Sequence, residues 1–552
     1  MILRDYQEAA VKSIFDYFDE GYRGNPLVAM PTGTGKSLVI TEFIKKAFML
    51  YPGQRFMMLT HVKELIEQNY KTLNRVWPLA PAGIYSSGLK SFQAHFPITF
   101  AGIASVHRDP QLFKKVDLVF IDEAHLVSPK SQTMYQRFIK GLKEINSYIK
   151  VIGFTATHYR MGQGLLTESD GLFTDICFDL TYLHAFNWLI DQGYICNLIP
   201  KRTTQELDIT NVQIQNGEYV QSQLQDAVDK QEVTKAALNE TIALANGRNH
   251  WLVFASGINH TIHIADMLNH MGVEATCVHS KMHGAERDRN ILDYKSGRYR
   301  AMVNNGILTT GFDFPEMDMI VMLRPTQSPG LWVQMLGRGT RPVYEQGYNI
   351  ETKDGRLLAQ KAGPKKNCLV LDFAGNTRRL GPINDPVMPK RKGTGGGSAP
   401  IKICPECGTY NHASVLNCIN CGAMFLRHVK LEAKASTAEL IYTPSTEVPV
   451  VEKFRIDRIT YDRHKKLRRP DSLRVSYYCG LRMFQEWICL EHEGYARKKA
   501  YDWWRSRSPY PLEDSIPPTI TDAMAKVEFL KIPKFLKVWI NKQHPDIMGV
   551  EY

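Results

Sequence analysis

No apolar run in the 552-residue chain approaches the roughly 20 residues that a membrane-spanning helix needs. The longest, such as Phe56–Leu59 and Trp251–Ala255, suit buried strands instead. The N-terminus, Met-Ile-Leu-Arg-Asp-Tyr-Gln-Glu, is charged too early for a secretion signal, so a cytoplasmic protein with no membrane partner is expected. Glycine (39) and proline (28) are too few for a collagen-like, mucin-like or largely disordered chain. Cysteine is scarce: six of the ten are scattered and four are grouped, which in a cytoplasmic context points to metal and away from disulfides. Negative charge is also short, 56 Asp and Glu against 68 Lys and Arg, and the net +12 favours a polyanionic partner, nucleic acid first.

Apolar runs alternate with helix-length segments: Leu27–Met30, Phe56–Thr60, Val116–Ile121 and Val151–Phe154, then Trp251–Phe254, Ala301–Val303, Ile320–Leu323 and Cys368–Leu371. Such alternation predicts parallel α/β sheets, in two lobes set either side of a polar stretch that contains a helix over Val220–Ala245. After Leu371 the alternation stops. The Pro, Gly and Lys-rich residues 386–400 predict a flexible linker, and a second polar linker precedes a last module at 450–552.

The chemistry gathers at strand ends. Residues 27–37 read Leu-Val-Ala-Met-Pro-Thr-Gly-Thr-Gly-Lys-Ser, a strand entering a glycine turn that opens a helix. Thr32, Gly33, Thr34 and Gly35 form the turn whose N–H groups would face a phosphate, with Lys36 as point charge and Ser37 as a Mg²⁺ ligand. The strict pattern fails at its first glycine, where Met30 stands. An apolar strand carries Asp122 and Glu123 to its carboxyl end, a pair that divides into a holder of hydrated Mg²⁺ (Asp122) and an activator of water (Glu123). Further on, Arg338 and Arg341 lie three apart and suit arginine fingers delivered from the second lobe, while the segment Ile307–Asp313 ends in hydroxyls, a glycine and a carboxylate suited to sensing nucleotide.

In this order the segments Leu3–Gln7, Pro31–Ser37, Leu59–Leu65, Asp122–His125, Thr155–Thr157, Thr309–Asp313 and Gln334–Arg341 resemble the adenine-recognition segment and motifs I, Ia, II, III, V and VI of DEAH-type superfamily two helicases. The chain most resembles the RadD-like bacterial DNA repair helicases, through Thr60–Asn69, Ile307–Pro315, Leu323–Gly339 and Leu369–Asn376. The resemblance covers residues 1–380 and implies two tandem RecA-like lobes, 1–197 and 198–385, with ATP and Mg²⁺ between them and nucleic acid, DNA first, across their tops. It implies that Arg4 and Gln7 hold adenine and that Asp313 contacts nucleotide. Thr60, His61, His125, Thr155, Thr157, Thr309, Thr310 and Gln334 would couple hydrolysis to the strand. It also implies a bacterial or phage-encoded protein acting in repair or recombination; a restriction or nuclease motor and an RNA helicase are the competing readings.

Cys404-Pro-Glu-Cys407-Gly and Cys418-Ile-Asn-Cys421-Gly are two C-x-x-C units able to close one tetrahedral Zn²⁺ site, an element spanning 401–426 in which His412 reads as exposed. The linker is expected to isolate this element from the lobes. Val451–Tyr552 holds 20 Lys and Arg against 14 Asp and Glu, and four of the eight tryptophans. An α+β module that binds single-stranded DNA is expected there, its basic surface also open to an acidic-tailed single-strand-binding protein.

Overall fold

Uncharged aliphatic runs form strands because burial on both faces of a parallel sheet rewards side chains with no polar atoms. A computed structural model describes all residues except 1–2, 129–131, 161–163, 169–170, 216, 310, 388–398, 426–450, 467–468, 481, 494, 510–515 and 541–544. The chain divides into two units, Met1–His428 and Val429–Tyr552.

The first unit begins with strands β1 (Pro26–Ala29), β2 (Phe56–Thr60), β3 (Ala82–Ser86), β4 (Ser91–Phe92), β5 (Ile98–Gly102), β6 (Leu118–Asp122), β7 (Lys150–Thr155), a two-stranded β8 (Tyr159–Arg160) and β9 (Gly164–Leu165), and β10 (Asp175–Asp179). They make an eight-stranded sheet in the order β10-β1-β7-β6-β2-β5-β3-β4, parallel except for the β3–β4 pair. The strand bearing the glycine turn therefore lies beside β7, and β7 beside the strand bearing Asp122. A second sheet follows, from β11 (Leu198–Lys201), the hairpin β12 (Ile214–Gln215) and β13 (Glu218–Tyr219), then β14 (Trp251–Ala255), β15 (Ala275–Val278), β16 (Ala301–Asn304), β17 (Met319–Leu323) and β18 (Cys368–Asp372). Its six strands run β11-β18-β17-β14-β16-β15, all parallel. Each sheet is packed on both faces by apolar side chains.

The single helix expected over Val220–Ala245 is two, Gln221–Val228 and Gln231–Leu244. Asp229 leaves the helical path, its carboxylate accepting from His263 Nδ1 at 3.0 Å, and Lys230 is extended as it opens the next helix. The break lets Leu224 and Val228 enter the same core as Ala237 and Leu238.

The four-cysteine element is not isolated from the lobes. Its hairpin, β19 (Ile401–Ile403) with β20 (Tyr410–His412), meets the second sheet at β11: Thr409 bridges Lys201, and Arg202 N–H donates to Gly408 O at 2.8 Å. His412 is not exposed either, because its ring lies 2.9 Å from Asp385 Oδ2 and 2.6 Å from Ser414 Oγ. An edge strand with unpaired N–H and C=O groups is a template for such docking. Of the expected linker, residues 388–398 lie outside the described ones, as does the linker ending near 449.

The second unit is built from β21 (Val451–Arg455), β22 (Arg458–Lys466), β23 (Arg469–Cys479), β24 (Arg482–Ile488), β25 (Phe535–Trp539) and β26 (Asp546–Glu551), in two antiparallel sheets, β21-β25-β26 and β22-β23-β24. Helices Tyr495–Arg507 and Ile520–Lys526 complete it. Trp503 and Trp504 belong to its core, where Trp503 Nε1 and Tyr477 Oη both donate to Glu486 Oε1, at 2.7 and 2.5 Å. No described helix in either unit is long and apolar enough to cross a membrane.

Candidate nucleotide cleft and four-cysteine centre

The carboxyl ends of β1, β6 and β7 converge on one cleft, as open parallel sheets require of their ligand sites. Gly33 (φ 88°) and Gly35 (φ 83°) take the left-handed backbone that turns β1 into helix Lys36–Leu50. A Cβ added at Gly35 would lie 2.6 Å from Gln7 Nε2, so any side chain there would displace the glutamine amide. A Cβ at Gly33 would meet Arg341 Cγ at 3.2 Å, so the second lobe closes directly over the turn. Met30, the departure from the strict pattern, is fully buried in the first-lobe core and has no left-handed backbone, so that position does not need glycine. Its carbonyl accepts from Lys36 Nζ at 3.2 Å.

The cleft holds a cavity of about 540 Å³ lined by Arg4, Gln7, Thr32, Gly33, Thr34, Gly35, Lys36, Ser37, Asp122, Glu123, Asp313, Arg338 and Arg341. The nucleotide and catalytic candidates thus face one space. At one end Gln7 and Tyr6 both donate to Thr34 O, at 2.9 and 3.0 Å, while Gln7 Oε1 accepts from Arg4 N–H. These bonds fix the glutamine amide against the turn. Tyr344 also lines this cavity and was missed; the available signal is an aromatic residue three past Arg341.

Asp122 and Glu123 are both buried. Asn69, another residue missed as a site member, donates to Asp122 Oδ2 at 3.2 Å. Burial, then the neighbouring Glu123, raises the pKa of Asp122, against which Lys36 pulls. Glu123 is one of three described non-glycine residues with left-handed backbone (φ 55°), strain of roughly 1–3 kcal/mol of the kind that gathers at functional sites. Its Oε2 is buried without a hydrogen-bond partner among the described residues. Two adjacent buried carboxylates, with an unused oxygen on Glu123 and Ser37 lining the same cavity, fit a divalent cation, and that cation would supply charge neutralisation at phosphate.

Between the lobes runs a continuous hydrogen-bond chain. Gln334 Nε2 lies 2.6 Å from His125 Nε2, His125 Nδ1 lies 3.0 Å from Thr155 Oγ1, and Thr155 Oγ1 donates to Thr157 O at 2.9 Å. Donation by Gln334 requires the tautomer with hydrogen on Nδ1, which then donates to Thr155. Burial, with Arg160, Lys36 and His61 nearby, pushes the His125 pKa down to about 3, so the ring is neutral. A direct bond from Thr340 Oγ1 to Thr32 O, 3.1 Å, adds a second link between lobes.

The two arginines are not equivalent. Arg338 is buried with Nη1 and Nη2 donating to Phe312 O and Thr309 O, at 2.7 and 2.5 Å, so its tip is tied to the Thr309–Asp313 segment. Arg341 pairs with the half-exposed Asp313 and lies over the glycine turn. Thr60 is buried at the end of β2, away from any surface, whereas His61 is exposed; Thr310 lies outside the described residues.

Cys404, Cys407, Cys418 and Cys421 place their sulfurs within 4.8 Å of one another, the pairs Cys404–Cys421 and Cys407–Cys418 at 3.6 Å. A tetrahedral thiolate site with metal–sulfur bonds of about 2.3 Å has S···S edges of about 3.8 Å, so the four sulfurs fit Zn²⁺. Gly408 (φ 69°) and Gly422 (φ 74°) close matching turns, their N–H groups donating to Cys404 O and Cys418 O.

Residues 1–160 match the family described as Type III restriction enzyme, res subunit, and residues 233–342 match the helicase conserved C-terminal domain. Among similar curated proteins, one described as the mitochondrial ATP-dependent helicase irc3 of Schizosaccharomyces pombe is 29% identical over 399 residues, 70% of this chain and 59% of that protein. The ATP-dependent helicase IRC3 of Saccharomyces cerevisiae is 24% identical over 70% of this chain and 53% of its own length. A 51.5 kDa protein of a Lactococcus phage is 26% identical over 78% of this chain and 86% of its own length. The chain therefore spans little more than half of the two yeast proteins. With two helicase-type matches in series over a cleft between paired parallel sheets, the chain is similar to the superfamily two helicases in fold and in the order of its parts.

Proposed function

We propose that the chain is an ATP-driven motor on DNA, a helicase or translocase of RadD-like kind that works in repair or recombination. The observation that carries this reading is the chain from Gln334 through His125 to Thr155, which ties the second lobe to the strand end beside Glu123. Glu123 orients and deprotonates water, Lys36 holds phosphate, and Arg341 meets charge developing on the transferred γ-phosphoryl group as ADP leaves. Asp122 and Ser37 hold Mg²⁺ in this reading, and Arg4 and Gln7 the adenine. Arg338 acts mainly by holding the Thr309–Asp313 segment in place. The four cysteines hold one Zn²⁺.

ATP hydrolysis measured in parallel with single-stranded DNA, duplex DNA and RNA tests it. DNA is expected to stimulate turnover most, and stimulation by RNA alone would replace the reading with an RNA helicase. A restriction motor is the second reading, favoured by the match over residues 1–160. ATP-dependent cutting of DNA by the purified chain would establish it in place of the first.

A further inference from the structure

In the C-terminal unit, strands β22, β23 and β24 bury one side of their sheet, and on the other side the flanking strands leave Arg458, Met483 and Trp487 exposed around a central strand whose Ser472 and Ser476 are covered. Leu473, Val475 and Tyr477 alternate into the core, so Arg474, Ser476 and Tyr478 share the opposite face. The register places Arg458 opposite Tyr478 and Tyr478 opposite Met483, then Ser476 opposite Gln485, then Asp462 opposite Arg474 and Arg474 opposite Trp487. Trp487 is 46% exposed and Met483 51%. The guanidinium of Arg458 stacks 4.3 Å from the centre of the Tyr478 ring. Gln485 Nε2 donates to Ser476 Oγ at 2.9 Å between the two aromatic positions.

We propose that this face is a platform for single-stranded DNA, with one base on Trp487, another on the Arg458–Tyr478 stack, and the strand between them passing Gln485. Four residues of strand separate the aromatic positions, about 14 Å, so the rings are too far apart to cover one another and are spaced as separate stacking points. Planar rings and a guanidinium plane accept any base, while flanking cations take the phosphates. The charge is complementary: from Asp457 to Arg482 the chain carries eight Lys and Arg against three Asp. The rings alternate with polar and charged groups, which suits a wet polyanion better than an apolar protein patch. The choice of DNA rests on the proposed function; the platform rests on this unit alone.

The test uses the full-length chain and a labelled oligothymidylate of about 15 nucleotides, without ATP, over a range of salt. Trp487→Ala is expected to weaken binding at least about fivefold, and Trp487→Phe to retain it, because stacking needs a ring and not an indole. Arg458→Gln is expected to weaken binding and to lower the salt slope by about one. ATP turnover at saturating DNA should stay at the wild-type level in all three. Unchanged affinity in Trp487→Ala or equal loss in Trp487→Phe would overturn the platform, and tighter binding of oligouridylate than of oligothymidylate would overturn DNA as its occupant. If wild-type turnover ignores DNA while Trp487→Ala still loses the oligonucleotide, the motor reading fails and the platform stands.

Discussion

Arg338 and Arg341 look alike in sequence and do different work in the cleft. Arg338 spends both terminal nitrogens on main-chain carbonyls, whereas Arg341 pairs with Asp313 at the mouth. Arg341→Ala should cut turnover roughly 10³-fold or more with ATP affinity kept, since its contact strengthens as charge develops. Arg338→Ala should also lower thermal stability, because two buried carbonyls lose their donors. Comparable melting temperatures for both variants would contradict the distinction. His125 supplies a pH test. Its folded pKa is about 3, below the ordinary value of about 6.5, so the unfolded chain takes up the proton first as pH falls. Its contribution is complete above about 6.5 and is lost as pH falls toward 3. Turnover between pH 7 and 8 should therefore show no step that disappears in His125→Gln; such a step would mean a charged ring and a different link between the lobes.

Strands and the glycine turn were legible in sequence because each obeys a local rule: uncharged aliphatic runs need burial, and a turn toward phosphate needs glycine. The break at Asp229 was not, because it depends on His263, which comes from another helix. Docking of the four-cysteine element was hidden for a similar reason. The C-x-x-C spacing reads as a closed unit, but the pairing of Thr409 with Lys201 is a contact between segments 208 residues apart only in the fold. Docking changes what metal loss should do. We expect one zinc per chain by elemental analysis, and chelation should lower the melting temperature of the first unit as well as releasing the ion, since the hairpin covers the edge of β11. Zinc-free protein that melts like the loaded form would contradict this account.

At the scale of the whole molecule, phosphate turn, carboxylates and arginines come from segments spread over about 300 residues, and only the closure of two sheets on one cavity makes them a site. The sequence carried the order of these segments; which of them touch was set by the approach of Gly33 to Arg341 and of Gln334 to His125. In the proposed reading this cleft hydrolyses ATP, with Glu123 acting on water and Lys36 on phosphate. Turnover and ATP affinity measured together for Lys36→Ala and Glu123→Gln test it most directly. Glu123→Gln should bind ATP as wild type does and turn over roughly 10² to 10⁴-fold more slowly, and Lys36→Ala should lose affinity and turnover together; near wild-type turnover in Glu123→Gln would contradict it.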